Sequence, residues 1–132
     1  TTVIEPYLSY GHLWANDAFV QMQLLGEFAN DDDVDDEVAL RSAFGKRIGT
    51  GEFGFGRTWT PMLEVLVFKD LESGADTKVD WVPQVQVTLN KRQHIMLNIG
   101  ARIPGNHRDG RDTHYAIYLL WDWFDGGLCE GW

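Results

Sequence analysis

Residues 79–89 read VDWVPQVQVTL, and after the turn-like Asn90-Lys91-Arg92 the chain resumes as QHIMLNIGARIPG over residues 93–105. In the first stretch Val79, Trp81, Pro83, Val85, Val87 and Leu89 alternate with Asp80, Gln84, Gln86 and Thr88, with Val82 the one exception. In the second, Ile95, Leu97, Ile99, Ala101 and Ile103 share one face, against His94, Met96, Asn98, Gly100 and Arg102. Side chains change sides at a period of two on a strand and 3.6 on a helix, so both stretches are expected to be strands.

The same alternation continues in both directions. From Thr113 onward Tyr115, Ile117, Leu119, Trp121 and Trp123 oppose His114, Ala116, Tyr118, Leu120 and Asp122. Upstream, residues 59–68 set Trp59, Pro61, Leu63, Val65 and Val67 against Thr60, Met62, Glu64, Leu66 and Phe68. Residues 37–48 alternate less cleanly, and Asp35-Asp36-Glu37 would also suit a helix N-terminus, so a helix is a second reading there. Residues 19–28 and 4–14 complete the set, with Gln21, Gln23 and Glu27 on one face of the former. The expected fold is all-β, a single domain over residues 1–132. Its architecture is an antiparallel up-and-down meander of about seven or eight strands.

Length and composition narrow the function. A chain of 132 residues with 44% apolar and 23% charged side chains has an ordinary globular balance and is not disordered throughout. Twenty acidic against eleven basic residues leave no surplus to neutralise phosphates, which argues against a nucleic-acid partner. Cys129, the one cysteine, excludes an intrachain disulfide, a cysteine-rich zinc site and covalent haem attachment through paired cysteines. The longest apolar run, residues 115–121, is far short of the ~20 residues of a spanning helix. Residues 1–6 (TTVIEP) lack the basic and apolar regions of a signal peptide, so the chain is cytoplasmic or has lost a leader.

Alternation gives one apolar face and one polar face without saying which solvent each meets. In a soluble sandwich or barrel the apolar face is the core; in an outer-membrane barrel it faces lipid around a polar lumen. Trp59, Trp81, Tyr115, Trp121 and Trp123 stand near strand ends on the apolar side, where an interfacial aromatic girdle would lie. The opposite side is Gln, Asn, Thr, Gly, Ala and His with few charges, unlike an open soluble sheet. Connectors also alternate between short (15–17, 90–92) and long, charged ones (29–36, 70–78, 106–112), with a glycine-rich GTGEFGFG at 49–56. Trp clusters occur in soluble β cores too, so a secreted sandwich or barrel acting as a binding or filament-type module is the rival reading.

WVPQVQVTL (81–89), QHIMLNIG (93–100) and YLLWDWFDGG (118–127), with weaker likeness back to Glu5-Pro6-Tyr7 and residues 19–26, resemble the C-terminal part of a family of bacterial outer-membrane β-barrels. Those proteins are porin-like or transporter-type, and some stand beside a c-type cytochrome module. The resemblance implies an outer-membrane location and passive solute passage or scaffolding of a partner. It implies the bilayer, the barrel-assembly machinery, a c-type cytochrome and further copies of the chain as partners. Terminal Trp132 resembles the aromatic signal read by the assembly machinery. Family members carry additional chain ahead of this region, so this sequence reads as a barrel or as a segment of one.

The lumen-facing polar set is then Glu64, Gln84, Gln86, His94, Asn98, Arg102, His114 and Asp122, with Glu5, Glu27 and Arg41 adding to a mixed-charge surface that sets ion preference or pairs internally. No catalytic motif appears: GxSxG, HExxH and the P-loop are all missing, and GEFGFG (51–56) is not followed by a helical pattern. No cofactor is expected. Asp31, Asp33 and Asp35 in NDDDVDDE (30–37) are calcium candidates set against a plain solvated acidic loop, because the segment lacks EF-hand ligand spacing and glycine. His94, His107 and His114 are metal candidates only if their strands bring them together, and are otherwise isolated polar histidines. Cys129 reads as an inert thiol, with a reactive thiol, linked to lipid or cofactor, as the second reading.

Overall fold

The structure, a computed structural model, describes residues 2–30, 35–49 and 58–132. Among these, every regular element is a strand: β1 (Val3–Ile4), β2 (Tyr7–Leu13), β3 (Ala18–Ala29), β4 (Glu37–Lys46), β5 (Ile48–Gly49), β6 (Thr58–Asp70), β7 (Lys78–Thr88), β8 (Ile95–Pro104) and β9 (His114–Trp121). β1 and β2 both pair with β3, and β4 and β5 both pair with β6, so the nine strands fill seven positions of one sheet. The first position is interrupted at Glu5-Pro6. Proline has no N–H to give to a ladder, and the Pro6 carbonyl instead accepts from the Gly26 amide at 3.0 Å.

Each long strand pairs antiparallel with its neighbour in sequence, giving the expected meander. Residues 37–46 are a strand and not a helix. Phe44 stands opposite Val20 on β3 and Leu63 on β6, and only an extended segment can be laddered on both sides. Among the described residues no pairing joins β9 to β1 or β2, so the sheet is open. Every residue of both edge strands, β2 and β9, is exposed.

The strand ends linked by residues 30–36, 71–77 and 105–113 lie at one end of the sheet, the loop end. The tight connections 14–17 and 89–94 lie at the other, the turn end. The three long connectors hold a net −7 of the chain's −9. The glycine-rich residues 50–57 lie outside the described set, as do Asp31 and Asp33.

Residues directly opposite across a ladder share a face, so the registers sort the whole sheet. One face carries Leu8, Tyr10, Met22, Leu24, Leu40, Phe44, Leu63, Val65, Val67, Trp81, Val85, Leu97, Ile99, Ile117 and Leu119. The other carries Ser9, Gln21, Gln23, Arg41, Glu64, Asp80, Gln84, Gln86, Asn98, Arg102 and His114.

The burial pattern is inverted relative to a sandwich. Among the described residues, buried polar side chains (Ser42, Thr58, Asp80, Thr88, Asn90, His94, Asn98) outnumber buried apolar ones (Val20, Ala39, Val87, Ile95). Leu24, Phe44, Leu63, Trp81 and Ile99 are exposed although all lie on interior strands. No second layer covers the apolar face among the described residues.

Candidate functional site

The polar face builds its own network where β6, β7 and β8 meet near the loop end. Asp80, only 2% exposed, receives the Arg102 Nε at 2.5 Å on Oδ2 and the Arg111 Nη2 on Oδ1. A buried carboxylate costs several kcal/mol to desolvate unless both oxygens are satisfied, and two guanidinium donors do that here. Arg111 reaches Asp80 from the β8–β9 connector, held there by its Nη1 donating to the Asn106 carbonyl. Asn106 in turn accepts from the Val79 amide and donates to the Thr77 carbonyl, tying two long connectors together.

Phe68 is the floor of this cluster. Lys78, Arg102 and Arg111 stand 5.4–5.6 Å from its ring centroid, within reach of its negative π-face. Lys78 also pairs with Asp70 at 3.1 Å. Towards the middle of the face, Gln84 donates to Glu64 at 3.2 Å, and Gln86 lies opposite Asn98. The Arg41 guanidinium and the Glu37 carboxylate make no side-chain hydrogen bond or ion pair among the described residues. Two clefts open beside them. One of about 480 Å³ is lined by Ser9, Gln21, Gln23, Arg41 and Glu64; the other, about 430 Å³, by Glu37, Arg41, Glu64, Phe68 and Arg102. Arg41 and Glu64 therefore stand between two spaces on one surface.

Of the expected polar set, Glu64, Gln84, Gln86, Asn98, Arg102 and His114 do share the face. His94 and Asp122 belong elsewhere. His94 precedes β8, in the turn opened by Asn90, and is 1% exposed. Its Nδ1 accepts from Asn90 Nδ2 at 3.0 Å and its Nε2 lies 2.9 Å from the Gly127 carbonyl, which assigns the neutral tautomer with the proton on Nε2. Asn90 also donates to the Glu130 carbonyl, Arg92 pairs with Glu130, and the Asp122 amide donates to the His94 carbonyl. His94 is the centre of a clasp that fastens residues 122–130 over the β7–β8 turn. His94 and His114 lie at opposite ends of β8, since His114 pairs with Arg102 eight residues on, ~26 Å along the strand. They cannot share a metal. His107 pairs loosely with Asp76, and among the described residues no group of three or more ligand-type side chains is close enough to hold an ion.

Trp59, Trp81, Tyr115 and Trp121 lie on the apolar face. Trp81 and Tyr115 stand towards the loop end and Trp59 and Trp121 towards the turn end, leaving an aliphatic band between two aromatic rows. Trp123 lies beyond the end of β9 at Trp121, packed against Phe124 in the terminal turns. Trp132 is also outside any strand, its Nε1 donating to the Leu128 carbonyl. At the loop end, a hydrogen bond to Asp35, then that group's charge, burial and the charge of Asp70 hold the Glu72 carboxyl above its ordinary value.

Comparison with protein-family models, curated proteins and solved structures finds no match.

Proposed function

We propose that this sheet is a wall of an outer-membrane-type β-barrel, with the apolar face against lipid and the polar face lining the interior. It serves passive passage of small polar solutes. The observation that carries the reading is the uncovered apolar face, continuous over all seven strand positions, set against a polar face with buried and mutually bonded groups. In water such an area would be a strong drive to associate or aggregate; in hydrocarbon it is the stable surface. Its height fits. On β6 the face is apolar from Trp59 to Val67 and then meets Lys69, nine residues or ~27 Å of strand, at the short end of the roughly 9–11 residues a tilted spanning strand needs. The loop end, bearing most of the negative charge, is the water-facing rim with long loops.

Lipid tolerates no unpaired sheet edge, so β2 and β9 need partners. Both run from the loop end to the turn end, so joining them directly makes a parallel ladder. An antiparallel closure takes an odd number of further strands from adjoining chain, because a like-oriented copy would repeat the parallel junction of β9 with β2. The test is extraction of membranes with urea followed by electrophoresis with and without boiling. A wall sealed into a barrel stays in the pellet and migrates faster unboiled. Release into the supernatant with one mobility favours the secreted binding or filament module.

A further inference from the structure

The cleft of about 430 Å³ on the polar face is bounded by charges of both signs, two of them without a protein partner among the described residues and two only partly engaged. Arg41 lies opposite Leu66, and its guanidinium has no protein partner among the described residues. Arg102 commits only Nε to Asp80, and its side chain is 47% exposed, which leaves the terminal nitrogens of its fork open. Arg102 reaches from β8 to stand 5.4 Å from the ring of Phe68 on β6, so its guanidinium comes to the strand that Arg41 faces. Glu64 accepts only the neutral Gln84 amide, and Glu37 has no cation within ion-pair reach among the described residues. None of these four is ion-paired with another among the described residues. Glu37 and Arg41 are four residues apart on one strand, ~13 Å, and Glu64 lies on the row next to that of Arg41. Leu66, Phe68 and Ala39 supply an apolar floor.

We propose that this cleft binds small zwitterionic solutes, taking a carboxylate on the Arg41 and Arg102 guanidinium forks and an ammonium group on Glu64. Two forks and two carboxylates around one space match a ligand that carries both charges and no net charge. Planar guanidinium groups pair a carboxylate through two parallel bonds. The short carbon chain between the charges lies over Leu66 and Phe68. This inference deepens the passage reading, and a binding measurement separates the two. Binding does not depend on where the protein resides, and extraction does not depend on binding.

The experiment is isothermal calorimetry on the whole protein, in detergent if urea leaves it in the membrane and in buffer if urea releases it. The probe is γ-aminobutyrate, with butyrate and butylammonium as single-charge controls. The zwitterion should bind saturably and at least about tenfold more tightly than either control. Arg41→Gln should reduce its affinity to the level of butylammonium, and Glu64→Gln, which keeps the bond to Gln84, to that of butyrate. Lys69→Gln on the opposite face should change nothing. Neither Arg41 nor Glu64 anchors a buried group, so these variants are expected to fold. The proposal is overturned if no saturable heat appears up to about 10 mM, if butyrate binds as well as the zwitterion, or if both cleft variants keep wild-type affinity.

Discussion

At the scale of single residues, neighbours on one strand have opposite environments. Ile99 is exposed in the middle of the apolar face, while Asn98 beside it is buried on the polar face opposite Gln86. Ile99→Arg should therefore cost about 2–4 kcal/mol in urea-unfolding equilibria measured in lipid vesicles, the magnitude for a cation near the bilayer midplane. Gln84→Arg, on the polar face beside Glu64, should cost less than about 1 kcal/mol in the same assay. Equal costs for the two would mean that the faces meet the same environment. Glu72 gives a pH prediction. Its folded-state pKa lies above the ordinary 4.5, so the folded chain binds this proton more tightly than the unfolded chain does. That contribution is fully present below 4.5 and is lost as pH rises through the raised value. A carboxyl carbon NMR titration should show Glu72 titrating high, and Asp35→Asn should bring it back towards the ordinary value.

At the scale of elements, the strands were readable because each alternates over most of its length and the ladders reward that alternation. Residues 37–46 were ambiguous locally, since Asp35-Asp36-Glu37 suits a helix start. Two flanking ladders decided it, and those are long-range facts. Strand ends were less readable. The alternation runs on through His94 and through Asp122-Trp123, although β8 begins at Ile95 and β9 stops at Trp121. The chain turns at Gln93, where φ is 61°, and nothing near His94 in sequence announces partners more than thirty residues away. The Asp80–Arg111 contact was hidden for the same reason, because a loop arginine is delivered by Asn106. The clasp is testable. His94→Ala removes one of two bonds from each of the Asn90 amide, which still donates to the Glu130 carbonyl, and the Gly127 carbonyl, which still accepts from the Glu130 amide; the two lost bonds should cost about 1–3 kcal/mol. Limited trypsin digestion should then cut at Arg92 faster than in the wild-type protein, with β-sheet circular dichroism retained. Unchanged cleavage would show that residues 122–130 are held by something else.

At the scale of the whole molecule, the question is why an open seven-position sheet with one bare apolar face should exist in this form. The polar side carries a satisfied buried Asp80, an arginine-rimmed aromatic ring and two clefts flanking Arg41 and Glu64. The apolar side carries its Trp and Tyr in two rows and its aliphatic residues between them. The proposed barrel, with lipid outside and a solute-lined space inside, would account for both at once. The most direct measurement places a nitroxide at Leu119 and, separately, at Asn98, with Cys129 replaced by Ser, in the protein reconstituted into vesicles. Collision with molecular oxygen should exceed collision with a water-soluble nickel chelate at Leu119, and the order should reverse at Asn98. A label at Leu119 shielded from both reagents, or reached more readily by nickel, would contradict the account.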